Sequence, residues 1–150
     1  MEKSDSKSVM STISLPAKLE NLPRFLESVI SCAKDQGLDR KRTGDIELIL
    51  EEALVNIISY AYKNQVGNAQ VKCLTDSHDR LYIEIIDSGR SFNLLSLDDP
   101  NLKDSLEDRK IGGLGIFLIK QFIDDFQYKR EDDKNVLTLT VYLKKNRGSI

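Results

Sequence analysis

Cysteine is scarce in these 150 residues, and neither of the two belongs to a CxxC or Cys/His cluster with the spacing of a metal site. Cys32 falls in a helical pattern and Cys73 in a strand-like one, so both read as small buried hydrophobes in a protein that folds without disulfides or a structural metal. Apolar runs are short, and none approaches the ~18 to 20 residues that cross a bilayer. The opening residues MEKSDSKS are polar and lack the apolar core of a signal peptide. Basic clusters are missing too. The formal net charge is -2 with both signs interspersed, which argues against an extended nucleic-acid surface, and the tail KKNRGS reads as a short solvated end. A protein in a reducing cytoplasm, with no membrane and no direct nucleic-acid partner, is the expectation.

What remains is ordinary for one globular domain, with 40% hydrophobic and 31% charged residues. A chain of this length buries about 68 to 70% of its unfolded surface, enough for a single core. Residues 1–8 read as a disordered tail, 9–145 as the domain and 146–150 as a second tail. VMSTISL alternates like a strand before Pro16. From Leu19 to Gln36, the residues Leu22, Phe25, Leu26, Val29 and Ile30 recur at helical spacing, and Gly37 is placed to stop that helix. A second helix is expected from Thr43 or Asp45 to Lys63. Its stripe is Ile46, Ile49, Leu50, Ala53, Ile57 and Tyr60, with Leu48, Val55 and Ile58 on other sides, so it should lie between a sheet and another helix.

AQVKCLTD and RLYIEIID read as a hairpin turning at Ser77, His78 and Asp79. Residues 88–111 have no sustained periodicity and exceed the ~12 to 15 residues at which structureless loops become uncommon, which marks a candidate lid. A third helix from Gly113 to Phe126 and strands at FQYKR and NVLTLTVYL complete the chain. In the last strand Leu137, Leu139, Val141 and Leu143 should face the helices, with Thr138, Thr140 and Tyr142 on the other side. The order of elements predicts an α+β sandwich, three helices on one face of a mixed, mostly antiparallel sheet.

Three short stretches carry the candidate chemistry. In EEALVN, Glu52 and Asn56 are four residues apart and lie one above the other on the flank of the apolar stripe; an ordinary polar flank has the same pattern. In LYIEIID, alternation turns Asp87 to the same face as Leu81, Ile83 and Ile85, where a carboxylate needs donors, and Gly89 follows. An aspartate opening a turn would look alike. In IGGLGI, three glycines sit at the start of a predicted helix, where free amide N–H groups and the positive end of the helix dipole suit phosphate. A hinge is the bland alternative. The spacing matches neither the dinucleotide fingerprint nor the P-loop.

Taken together, Glu52-Ala-Leu-Val-Asn56, Asp87-Ser-Gly89-Arg-Ser-Phe92 and Gly112-Gly-Leu-Gly115 resemble the N, G1 and G2 boxes of the GHKL (histidine kinase-like) ATPase superfamily. Within it, EEALVNIISYAY, IDSGRSFN and GGLGIFLIKQFID are similar to the bacterial anti-sigma factor serine/threonine kinases, over about Ile13 to Lys144. The resemblance implies a Bergerat-type two-layer sandwich, ATP and Mg2+ as cofactors, and a lid at about 88–111. It implies that Asn56 coordinates Mg2+, that Asp87 accepts a hydrogen bond from the adenine amino group, directly or with water, and that Gly89 lets the base approach. Gly112, Gly113, Leu114 and Gly115 would close over the phosphates, with Arg109 or Lys110 as the basic group reaching them, and Glu52 would take the proton of the attacking hydroxyl or orient it. The family's partners are a STAS-fold anti-anti-sigma protein, phosphorylated on a hydroxyl, and a sigma factor. The family's threonine on the last strand has no secure counterpart. A nucleotide-dependent switch that sequesters a partner without transfer is the competing function, and a homodimer is expected from the apolar outward residues Tyr82, Ile86 and Tyr142.

Overall fold

The computed structural model describes residues 6–62, 65–93, 119 and 121–143. Five strands form one sheet in the order β1-β2-β3-β5-β4, where β1 is Lys7–Pro16, β2 Asn68–Asp76, β3 Arg80–Asp87, β4 Asp125–Glu131 and β5 Lys134–Tyr142. All four ladders are antiparallel, so among the described residues the sheet is not mixed as the sequence reading had it. Two helices are described in full, α1 (Leu22–Asp35) and α2 (Arg40–Asn56).

Alternation decides which face of the sheet is covered. Val71 and Cys73 on β2, Leu81, Ile83 and Ile85 on β3, and Leu137, Leu139 and Val141 on β5 share one buried cluster with Phe25, Val29, Ile46, Ile49 and Leu50 of the helices. Burying each such side chain contributes about 1.5 to 3 kcal/mol, so a one-residue slip of register would forfeit the whole face. Cys32 and Cys73 are buried free thiols facing each other across the α1–β2 contact. The opposite face is lined by Thr138, Thr140 and Tyr142 with charged neighbours. Lys7 Nζ stands 4.0 Å above the Tyr82 ring, and Tyr82 donates to Asp76 at 2.7 Å. Tyr82 is therefore covered by its own chain, and the outward face is less apolar than its sequence suggests.

Helix boundaries shift for local reasons. Leu19–Asn21 form a 3-10 turn, and α1 starts at Leu22, with Pro23 in the first turn where its missing N–H costs nothing. Gly37 closes α1 at φ 92°, its N–H meeting Lys34 O at 3.0 Å and that of Leu38 meeting Ala33 O at 3.2 Å. Helix α2 begins at Arg40, earlier than Thr43 or Asp45, because the Asp39 carboxylate accepts from Arg42 N at 2.8 Å. That cap precedes the apolar stripe and leaves no trace in its periodicity. Leu48 is exposed, so α2 keeps a solvated side. Near the expected third helix, Ile119, Gln121 and Phe122 are helical, but Phe126 lies in β4, where it pairs with Leu139 and packs on the core. β1 starts at Lys7, two residues before Val9. No helix among the described residues is long and apolar enough to cross a membrane.

Candidate functional site

Helix α2 ends in one turn of π-helix, Ile57–Ala61, closed by Tyr62 N–H on Ile57 O at 3.1 Å. Widened turns of this kind leave carbonyls for outside partners. Arg90 takes two of them: its backbone N–H meets Ala61 O at 3.0 Å and its Nε meets Tyr60 O at 2.8 Å. A cation on the last carbonyls of a helix also complements the helix dipole. Gly89 is pressed against the same turn, and a Cβ there would stand 2.7 Å from the Ala61 carbonyl carbon, with the oxygen nearer still. The Tyr62 hydroxyl completes the joint, accepting from Ser88 N at 2.7 Å and donating to Asn68 O at 2.7 Å. The loop after β3 is thus fastened to the end of α2.

This joint ties the helix that carries Glu52 and Asn56 to the loop that follows Asp87. At a rise of about 1.5 Å per residue, Asn56 lies roughly 8 Å along the helix axis from Ala61. Its side chain is fully buried, and neither Oδ1 nor Nδ2 has a hydrogen-bond partner among the described residues. An amide buried with both ends unpaired costs about 1 to 3 kcal/mol. Glu52, one turn earlier, is half-buried, and its carboxyl is pushed up by burial and then by the neighbouring Glu51 charge.

Asp87 ends β3 on the buried face. Its Oδ1 accepts from Gly89 N at 2.9 Å and from Asn135 Nδ2 at 2.8 Å, while Oδ2 has no hydrogen bond among the described residues. Burial pushes this carboxyl up; the Asn135 and Gly89 donors and the Arg130 charge act the other way. Asn135, its register partner on β5, escaped the sequence reading. Its signal was there, since it begins the inward set that continues through Leu137, Leu139 and Val141. Arg90 and Tyr62 had no such signal, because what they touch is distant in sequence. Thr138 and Thr140 point outward, as expected, opposite Glu84 and Tyr82.

Glu52, Asn56, Asp87 and Gly89 therefore lie on two elements fastened together. Gly112, Gly113, Leu114, Gly115, Arg109 and Lys110 lie outside the described residues, as does the lid beyond Asn93. Gly89 has a structural requirement of its own, the approach to Ala61.

The observation that decides the family is a match to the histidine kinase-like ATPase domain over residues 15–141, most of the chain. The chain belongs to that family. Among its relatives, a serine-protein kinase RsbW of Bacillus cereus (strain Q1) is 30% identical over 137 residues, covering 89% of this chain and 84% of the relative. A serine-protein kinase RsbW of Listeria monocytogenes is 28% identical, covering 88% and 86%. In fold, the chain is similar to the histidine kinase domain of the Erythrobacter litoralis EL346 blue-light activated histidine kinase, with a TM-score of 0.55 and 17% identity, covering 83% of this chain and 62% of that one. In this member, the joint between α2 and the end of β3 is where the Asn56 amide is buried without a hydrogen-bond partner among the described residues.

The chemistry of those side chains fits Mg2+ and ATP. No group of three or more His, Cys, Asp or Glu among the described residues could hold a metal by itself. Magnesium is commonly held by one or two protein oxygens together with substrate phosphates and water. The Asn56 amide oxygen, unpaired among the described residues, would suit such a role, and Asp87 Oδ2, without a hydrogen bond among them, would suit an exocyclic amino group.

Proposed function

We propose that this histidine kinase-like ATPase is a protein serine/threonine kinase that uses ATP and Mg2+ to phosphorylate a STAS-fold anti-anti-sigma protein, and that it also binds a sigma factor. The observation that carries the reading is Asn56, a buried amide unpaired at both ends, one helical turn from a half-buried carboxylate. The similarity to serine-protein kinases supports the type of reaction.

In this reading Asp87 Oδ2 accepts the adenine amino group, and Asn56 Oδ1 contributes a ligand to Mg2+, which neutralises phosphate charge. Glu52 receives the proton of the acceptor hydroxyl as its oxygen bonds to the γ-phosphorus and the bond to the β-phosphate oxygen breaks, releasing ADP. Such a transfer depends mainly on positioning and charge neutralisation, so a few fixed side chains suffice. The reading assigns the phosphates to Gly112, Gly113, Leu114 and Gly115, whose backbone amides would meet them, with Arg109 or Lys110 as the added positive charge. The kinase works in the cytoplasm, as the RNA-polymerase partner it regulates requires, and as a homodimer.

Mixing the protein with Mg-ATP and its cognate STAS protein, followed by mass spectrometry of the acceptor, tests the reaction. Phosphate on a serine or threonine is expected. Glu52→Gln should abolish transfer and keep ATP binding. A Glu52→Gln protein that regulates its partner like the wild type would instead identify a nucleotide-dependent switch without transfer.

A further inference from the structure

Asn135 is 3% exposed, and its side chain makes five hydrogen bonds. Its Oδ1 accepts from Phe92 N at 3.1 Å, Tyr128 Oη at 2.6 Å and Arg130 at 3.2 Å. Its Nδ2 donates to Asp87 Oδ1 at 2.8 Å and to Arg90 O at 2.8 Å. The orientation of the amide follows from its neighbours, since Phe92 N and Arg130 can only donate and the Asp87 carboxylate and Arg90 carbonyl accept. Both N–H bonds are used, so Asn135 has no donor left for a ligand. Its influence on a bound base must pass through Asp87.

That influence concerns which base is taken. Adenine presents an amino group where guanine presents a carbonyl oxygen. An ionised carboxylate only accepts hydrogen bonds, whereas a protonated one can donate. We propose that Asn135 is the specificity-determining residue of the nucleotide site: its Nδ2–H holds Asp87 as an acceptor, so that Oδ2 takes adenine and rejects guanine. The proposal rests on the ATP reading above and adds a positioning role that no ligand contact supplies. The charged or titratable groups facing Asp87 are Arg130 from β4 and the Tyr62 phenol from the end of α2; on β2 its register partner is Ala69.

Asn135→Asp isolates this role. It keeps the oxygen that Phe92, Tyr128 and Arg130 use, and changes the end that meets Asp87 and the Arg90 carbonyl, of which only Asp87 titrates. Two carboxylates in contact retain one proton between them until the pH exceeds the upper pKa of the pair. Below that point the shared O–H imitates the Asn135 donor; above it the donor is lost and two charges face each other. Wild-type protein has the opposite sign, because Asp87 becomes a better acceptor as it ionises with rising pH.

The experiment is calorimetric titration of wild-type and variant protein with Mg-ATP and with Mg-GTP between about pH 6 and about pH 9. Wild type should prefer ATP and hold or gain affinity with pH, while Asn135→Asp should lose ATP affinity by about ten-fold or more over the same range, the scale of a hydrogen bond to a charged group. Asn135→Leu, similar in size, should cut the ATP-to-GTP preference about ten-fold at neutral pH; it also serves should Asn135→Asp not fold, as judged by circular dichroism. An Asn135→Asp protein that follows the wild-type pH profile, or variants that weaken ATP and GTP equally at every pH, would overturn the specificity role. Wild type that binds both nucleotides equally overturns it too, yet leaves the nucleotide site standing. Wild type that binds neither overturns the ATP reading itself.

Discussion

Asn56 is a poor choice for stability and a good one for a ligand. Buried with no partner among the described residues, its amide is a cost that a bound group can remove. Asn56→Leu, close in volume, should raise the stability of the nucleotide-free protein by about 1 to 2 kcal/mol in urea denaturation, and abolish Mg-ATP binding in calorimetry. Glu52 should show its environment in a rate profile. Its carboxyl lies above the usual range through burial and the Glu51 charge, and it accepts a proton only when ionised, so transfer should fall as pH drops through that raised pKa. Glu51→Gln removes the like charge and should move the acid limb to lower pH, read from transfer rate against pH. Glu52, Asn56 and Asp87 were legible one by one because helical and strand periodicities say which way each points. Asn135 obeys the same rule, yet an asparagine at a strand end draws no notice until Asp87 lies across from it.

At the scale of elements, apolar periodicity located the strands and helices well and their ends less well. The ends are set by single side chains, Asp39 capping α2 and Pro23 opening α1, and such caps are local chemistry outside any repeat. The π-helical turn after Asn56 was not legible at all, because it depends on Arg90 and Gly89 arriving from β3. The β4–β5 hairpin turns through Asp132 and Asp133, both at positive φ (55° and 62°), between the paired residues Glu131 and Lys134. Non-glycine residues adopt this geometry at a cost, and glycine does not. Asp133→Gly should therefore stabilise the protein by up to about 1 kcal/mol in chemical denaturation, with no change in nucleotide affinity.

Across the whole molecule, one sheet face is closed by α1 and α2 and the other carries charged and aromatic side chains of the sheet itself. A homodimer would need a surface other than Tyr82, which Lys7 covers. Among the described residues β1 is an edge strand paired only with β2, with Val9 56% and Met10 48% exposed and no charge between Ser8 and Leu15. An uncharged edge of that length invites pairing with another strand. Sedimentation should show a dimer at micromolar concentration, and Met10→Lys on that edge should shift it toward monomer.

The sequence by itself determined the layers, because a period of two or of 3.6 decides locally which side of each element is apolar. It also determined which polar residues would be carried to the buried side. Only the tertiary structure decided that Arg90 and Gly89 clamp the end of α2, and that Asn135 takes hold of Asp87. Those contacts join residues 28 to 48 positions apart, and hydrogen-bond geometry between such residues exists only once the sheet register and helix packing have placed them.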